Sequence, residues 1–409
     1  MNLGSGERIV PGFSGRPAIA VLPLRNGSGR KDEDYLADGL AEDLIARLST
    51  WRHLPVIGRG SSFLYREAAD FRGIGRELGV GYLVSGTATR GPASIAIELS
   101  LIDAVSGQLR WRDSRSCPRE EIFKLLEDLV ECLITAADPD VGAHPPERAR
   151  DLDLGSFAAW DDALRGFWHL GMLARSETVK ARQCLERAQL REPRLPLAIW
   201  GLTLTHYYDL MYEWTESPEG TLSEVMRLAD VASTLDARDP RGHFAEAIGQ
   251  MLSGEPARAV AALDLVLKLS PSCHLSAYLL GFLLALAGRP DEGLPFLELA
   301  MRLSPLDPEI CLRLNAVAVA HFAAARYEEA AVWARRSIER RPDWSPAHRI
   351  LAASYGHLGR TEEAGIAVRQ GRRQQPRFTE STTRMLSAGT SPEFMRRFFE
   401  GLERAGWKD

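Results

Sequence analysis

The sequence predicts an α+β N-terminal domain, a mixed sheet with helices on it, followed by an all-α helical solenoid. Three observations carry this. Short apolar and alternating runs mix with helical stripes up to about residue 140. From about residue 156 no convincing strand pattern remains. Over that second part Pro271, Pro305, Pro342 and Pro376 fall 34, 37 and 34 residues apart, which is a repeat period.

In the first region "PAIAVLPL" is a short apolar run with the pattern of a buried strand. The next segment carries Leu36, Leu40, Leu44 and Leu48 at four-residue spacing, one apolar stripe of a helix packed on a sheet. Asp32, Glu33 and Asp34 precede it, where they suit the helix dipole. "LPVIGR" is expected to be a second strand, and "DFRGIGRELG" a short helix with Gly79 as its C-terminal cap. "YLVSGTATR" and "SIAIELSLIDA" form two strands joined by "GPAS". In the latter, Ile95, Ile97, Leu99 and Leu101 alternate with Ala96, Glu98 and Ser100, so one face is buried. "LRWRDSRS" is a further alternating strand and "REEIFKLLEDLVECLITAA" a closing helix. The order β-α-β-α-β-β-β-α predicts one layer of helices over a mixed sheet.

The second region repeats with the 34-residue length of the tetratricopeptide unit. Within one period Gly281 and Leu284 lie on a first helix, Gly288 makes a turn, and Leu297 and Ala300 lie on a second helix. Small residues such as Ala318, Ala330, Ala352 and Ala364 let two antiparallel helices approach, and proline ends the second helix. The longer gap after Pro305 holds an extra "LDP". Working backwards gives about six units, enough for a stable stack. The expected organisation is a disordered stub over 1–16, an α/β domain over 17–140 and a Pro- and Gly-rich linker over 141–155. Helical repeats follow over 156–376 and a capping helix over 377–409, the last with Phe394, Phe398, Leu402 and Trp407 near one side.

In such an array the first helices line a concave groove. Unit by unit, its positions hold Phe244, Ile248 and Met251; Tyr278, Phe282 and Ala285; Asn315, Val319 and Phe322; Arg349, Ala353 and Gly356. The predicted partner-binding residues are Phe244, Met251, Tyr278, Phe282, Asn315, Phe322 and Arg349: an apolar, aromatic surface with Asn315 and Arg349 as polar anchors. It suits an amphipathic helix or an extended apolar peptide. These aromatics could instead pack internally or under the capping helix.

Composition narrows the function classes. The 409 residues have a net charge of −5 and an ordinary 45% hydrophobic content. A nucleic-acid-coating protein is not expected from that charge. No apolar run reaches the roughly 18–20 residues of a membrane span, and no secretory signal is visible, so a cytoplasmic location is expected. The five cysteines are scattered without a Cys-x-x-Cys pair, so neither a disulfide framework nor a zinc site is predicted. No nucleophile elbow, phosphate loop or His-Glu-x-x-His motif occurs. "GRGSSF", Gly58 to Phe63, is a turn lacking the lysine and third glycine of a phosphate loop. Arginines cluster at Arg335, Arg336, Arg340 and Arg341 and again at Arg369, Arg372, Arg373 and Arg377, where they suit second-helix C-termini. No catalytic, metal or cofactor residue is predicted.

The blocks "AIAVLPLRNGSGRKDEDYLADGLAEDLIARLS", "VIGRGSSFLYR", "IGRELGVGYLVSGTATR" and "LSLIDAVSGQLRWRDS" resemble, in order, the TolB-like N-terminal module that precedes tetratricopeptide repeats in bacterial signalling proteins. There the pair commonly follows a class III adenylate or guanylate cyclase domain or a DNA-binding winged helix. The resemblance implies architecture and signalling context, and residues 1–16 hold no such output domain. The expected function is therefore non-enzymatic: an adaptor that binds a protein or peptide partner, a cyclase or transcription regulator among the candidates. The alternative is the regulatory part of such a cyclase or regulator whose output domain is absent from this chain.

Overall fold

A computed structural model describes residues 10–66, 70–143, 156–374 and 389–407. The chain divides into two compact units. The first is Met1–Gly249 with Leu265–Cys273, and the second is Gln250–Asp264 with His274–Asp409.

The first unit begins with a sheet. Its strands are β1 (Ala18–Val21), β2 (Arg25–Asn26), β3 (Val80–Arg90), β4 (Ser94–Asp103) and β5 (Leu109–Pro118). The order is β1-β3-β4-β5, with β2 also on β3. β1 runs parallel to β3, pairing Val21 with Val84, while β3, β4 and β5 are antiparallel. The expected face of β4 is the buried one: Ile95, Ile97, Leu99 and Leu101 are at most 1% exposed. The expected strand "LPVIGR" is reduced to a bridge at Val56, with Ile19 of β1 donating its N–H to the Pro55 carbonyl and accepting from the Ile57 N–H. Two helices cover this sheet, α1 (Asp34–Leu48) and, after α2 (Arg59–Ser62) and α3 (Phe71–Leu78), α4 (Ile122–Ala137). α3 is capped by Asp70 at its start and by left-handed Gly79 at its end. Residues 10–16 depart from the expected stub. Val10 and Phe13 are buried, and Arg16 reaches Asp138 at 2.6 Å, so apolar burial and an ion pair hold this stretch. Residues 1–9 and most of the expected linker lie outside the described residues.

After the single turn α5 (Pro139–Gly142), twelve helices follow along the sequence, two to each repeat. They are α6 (Phe157–Leu170) with α7 (Arg175–Arg191), α8 (Pro196–Met211) with α9 (Pro218–Ala232), and α10 (Pro240–Leu252) with α11 (Pro256–Leu269). The rest are α12 (His274–Leu286) with α13 (Pro290–Leu303), α14 (Ile310–Ala323) with α15 (Tyr327–Arg340), and α16 (Ser345–His357) with α17 (Thr361–Gln374). A last helix, α18 (Pro392–Arg404), follows.

The turn inside each pair shows why the period is kept. One residue there takes a positive φ: Leu173, Glu213, Gly254, Gly288, Ala325 and Gly359 in turn. In the five turns after the first, the next residue donates its N–H back to the first helix, as Arg289 does to Leu284 and Arg360 to Tyr355, which satisfies a terminal carbonyl. Glycine adopts this conformation freely; a side chain there costs about 1–2 kcal/mol. Three of the six turns accept that cost.

α1 is buried on more than the one stripe its leucines predict. Leu36, Leu40, Leu44 and Leu48 face the core, but Ala37, Gly39 and Ala41 are buried too. The reason is α6, the first helix of the first pair. A Cβ on Gly39 would stand 2.7 Å from Leu164, so the two helices cross at a glycine. Asp38, 2% exposed, is matched by both ends of the Arg66 guanidinium at 2.8 and 2.7 Å. The α/β part and the first repeat helices therefore share one core.

Candidate functional site

The predicted groove residues fall in both units. In the first, Phe244 is buried edge-on to Trp200, ring centroids 6.3 Å apart, and Ile248 is buried beside it in sequence. In the second, Met251 and Phe282 are half-buried, and Tyr278 is 9% exposed and stacked on Phe282 at 6.2 Å. Asn315 is buried with its Oδ1 unpartnered. Arg349 is half-buried and donates to the Ser345 hydroxyl at 3.3 Å. Phe322 has no exposed surface at all, which sets it apart from a surface anchor.

The cause of Phe322's burial is α18. Its Phe394 and Phe398 rings lie 5.6 and 6.2 Å from Phe322, both edge-on. The helix is tied to the C-terminal ends of three successive first helices. Ser391 donates its backbone N–H to the Leu286 carbonyl of α12 at 2.8 Å. Arg397 donates to the Ala323 carbonyl of α14 at 3.2 Å, and His357 of α16 donates to the Arg397 carbonyl at 2.7 Å. At the far end α18 meets α16 glycine to glycine. A Cβ on Gly356 would lie 2.0 Å from the Gly401 carbonyl oxygen, and one on Gly401 would lie 2.5 Å from that of Ala353. Beyond it Trp407 is buried under the Arg372 guanidinium, 4.5 Å from the ring. Thus three predicted groove positions, Phe322, Ala353 and Gly356, contact a helix of the same chain. The stripe Phe394, Phe398, Leu402 and Trp407 is buried as its spacing predicts, but the helix crosses three repeats where an end cap would touch one.

Sequence reasoning missed a buried charge cluster in the same unit. Arg313 and Asp307 are 2% and 6% exposed and pair at 3.0 Å, and Arg313 also reaches His274 Nδ1 at 3.0 Å. Ser304 donates to Asp307, and Asp307 caps the N–H of Glu309. Burial holds His274 below its ordinary pKa, with the Arg313 charge acting in the same direction. Burial alone would raise the Asp307 carboxyl, but Arg313 and His274 outweigh it and hold it low. The Tyr278 phenol is pushed up by burial, with the Arg313 guanidinium 5.8 Å from its ring. The available signal was the extra "LDP": it delivers Asp307 as the counter-ion that a buried arginine needs.

The other sequence candidates are structural. Ser61 and Ser62 of the "GRGSSF" turn are fully buried, and Arg59 of that turn pairs with Glu42 at 3.2 Å. Arg336 and Arg341 lie over Trp333 and Trp344, at 4.6 and 5.4 Å, as stacked surface side chains. Arg377 lies outside the described residues. Among the described residues no helix is long and apolar enough to cross a membrane, and no group of metal-ligating side chains gathers.

No family model matches the chain. Over 239 residues, 58% of its length, it is 30% identical to "Putative adenylate cyclase 3" of Rhizobium meliloti (strain 1021). The match takes in 41% of that protein, so the chain spans less than half the length of this curated relative. Solved structures with similar folds include MamA from Desulfovibrio magneticus RS-1, 18% identical over 44% of this chain and 96% of that one, with a TM-score of 0.34. MamA of AMB-1 is 23% identical over 38% of this chain and 91% of that one, with a TM-score of 0.33. The APC/C hetero-tetramer Cut9-Hcn1 is 16% identical over 71% of this chain and 51% of that one, with a TM-score of 0.43.

Proposed function

The chain is a protein of tetratricopeptide-like helical pairs joined to a small mixed α/β sheet, and we propose that it works as a protein-binding regulatory module. One observation carries the reading: α18 seats an aromatic stripe and a close-packing glycine on the ends of α12, α14 and α16. A surface that accepts this helix accepts others of the same pattern, aromatic residues four apart followed by a small residue. The partner is then a protein presenting such a helix, and α18 is the intramolecular competitor that it displaces. Tyr278, Phe282, Asn315 and Arg349 extend the surface along the same first helices, whereas Phe322 becomes accessible only when α18 leaves. The α/β part is read as the TolB-like module, and its context as bacterial signalling in the cytoplasm, without an activity of its own.

A pull-down from the native source tests this with wild type, Phe394→Ala/Phe398→Ala and Tyr278→Ala/Phe282→Ala chains. The first variant should capture more of the partner and the second less. Identical partners in identical amounts from all three would remove the groove reading.

A second reading is favoured by the match to the Rhizobium meliloti protein: the chain is the regulatory part of a class III cyclase or of a winged-helix regulator. An in-frame catalytic or winged-helix segment encoded ahead of residue 1 would select it over the separate adaptor. Both readings keep the same partner surface.

A further inference from the structure

The junction between the α/β part and the first helical pair, all within the first unit, collects positive charge that the proposed function does not use. A cleft of about 430 Å³ there is lined by Arg30, Arg90, Arg119 and Arg165 together with the carboxylates Asp32 and Glu33. These arginines come from four separate places: the loop before α1, the end of β3, the turn before α4, and α6. Helical i,i+4 pairing therefore does not account for their meeting. A second cleft of about 370 Å³ shares Asp32 and Arg165 and adds Lys31, Lys180 and Arg187, with Tyr35 and Trp168 on its wall; Lys180 is paired with Glu177 at 2.7 Å and Arg187 with Asp162 at 3.3 Å. The chain as a whole has a net charge of −5, so this concentration of cations is local.

The guanidinia are held close together. Arg90 and Arg119 both lie over the Phe157 ring, at 5.6 and 5.8 Å. Arg90 and Arg165 both donate to the Tyr35 hydroxyl, at 2.5 and 2.7 Å. That hydroxyl donates to Asp161, which also pairs with Arg90 at 2.9 Å. One carboxylate thus serves two arginines and a phenol. Arg30 spends its charge on Asp32, at 2.8 Å, and on Glu33. Arg119 donates one Nη to the Gly91 carbonyl at 2.8 Å, while its Nε is buried without a partner. Four arginines here meet three carboxylates, Asp32, Glu33 and Asp161, so one positive charge is unmatched, and the unpartnered Arg119 donor adds a penalty that an anion would relieve.

We propose that this paired cleft binds a phosphate-bearing small molecule, with Arg119 contacting the phosphates and Arg30 and Arg165 turning to them from Asp32 and the Tyr35 hydroxyl. Guanidinium forks match phosphate oxygens two at a time, and concavity on this scale favours a small ligand over a broad protein surface. Trp168, half-buried on the wall of the second cleft, offers a stacking face for a base, so a nucleoside polyphosphate fills both clefts and an inorganic polyphosphate fills the first.

Isothermal titration of the full chain with ATP and with pyrophosphate, at low ionic strength, tests the proposal. Saturable binding is expected, weakening as salt is raised, because the contacts are charge-assisted. Arg119→Gln should weaken it by about tenfold or more. Arg30→Gln, whose side chain is 65% exposed and whose loss does not threaten the fold, should weaken it as well. ATP binding about tenfold tighter than pyrophosphate, with the difference lost in Trp168→Ala, identifies the nucleotide form. Equal affinities identify the inorganic form. Absence of saturable binding for both probes, or binding unchanged in both arginine variants, overturns the proposal. The outcome is independent of the pull-down that tests the α18 surface.

Discussion

Both units lay another segment against helices of the repeats, and they do it with different chemistry. In the first unit the attached segment is α1 and its sheet. The join has a glycine crossing at Gly39, but its specificity is polar. Tyr35, Arg90, Arg165 and Asp161 form one network, and Ser272 accepts from the Val56 N–H at 3.0 Å while donating to the Leu54 carbonyl. In the second unit the attached segment is α18, and the join is aromatic, with Phe394 and Phe398 on Phe322. Its backbone contacts number a few, at the helix ends it crosses. A polar join fixes geometry, because each misplaced donor is penalised. An apolar join on one short helix is broad and replaceable, since any helix of similar pattern gains similar burial. The comparison assigns the first unit a fixed architecture and the second an exchangeable one.

The largest expected effect breaks the aromatic side. Phe394→Ala/Phe398→Ala removes two buried rings, at roughly 3–5 kcal/mol for one and somewhat less than double for both, because they share neighbours. Hydrogen exchange should then show α18 amides unprotected while α14 and α16 stay protected. Loss of protection throughout the second unit would make α18 part of its core and not an occupant.

Acid should strain both units. His206 in the first is pushed down to about 4, by burial foremost and then by the Arg182 charge; His274 in the second is also depressed by burial. The unfolded chain takes up these protons near pH 6.5 and the folded chain does not. Stability contributed by the neutral rings is therefore full above pH 6.5 and falls as pH drops from there toward 4. For His206 this is on the order of 2 kcal/mol. Urea melts across that window should flatten in His206→Asn, and an unchanged slope would contradict the assignment.

A smaller effect tests the polar side. Tyr35→Phe removes a hydroxyl that accepts from two arginines and donates to Asp161. The cost should be about 1–2 kcal/mol, read from urea melts. The smallest effect has the opposite sign. Ala325 holds a φ of 57° at a turn where its neighbours in the series, Gly288 and Gly359, are glycine. Ala325→Gly should stabilise by about 0.5–1 kcal/mol, and Gly288→Ala should destabilise by a similar amount.

Much of the fold is legible in local pattern because local pattern causes it. The alternation from Ile95 to Leu101 becomes the buried face of β4, and Gly79, Gly254, Gly288 and Gly359 mark real left-handed turns. Legibility fails where a distant segment decides. Leu173, Glu213 and Ala325 occupy the same turn position without the glycine that signals it, because the helices on either side impose the conformation. The leucine stripe of α1 gives one buried face; α6 buries another. Of the candidate groove, the alternative that its aromatics lie under the last helix is what Phe322 does. The stripe on α18 says that the helix is buried and leaves open against which helices. The arginine cleft was equally hidden, since Arg30, Arg90, Arg119 and Arg165 are far apart in sequence and each alone looks like a surface charge.

The central claim is that α18 is an exchangeable occupant of the α12, α14 and α16 ends. Its most direct test is fluorescence anisotropy with a labelled peptide of residues 391–407, titrated with wild type and with Phe394→Ala/Phe398→Ala. The variant, whose own helix is weakened, should bind the peptide at least about tenfold more tightly than wild type, which must first release α18. Equal affinity in the two chains, or no binding to either, would contradict the claim.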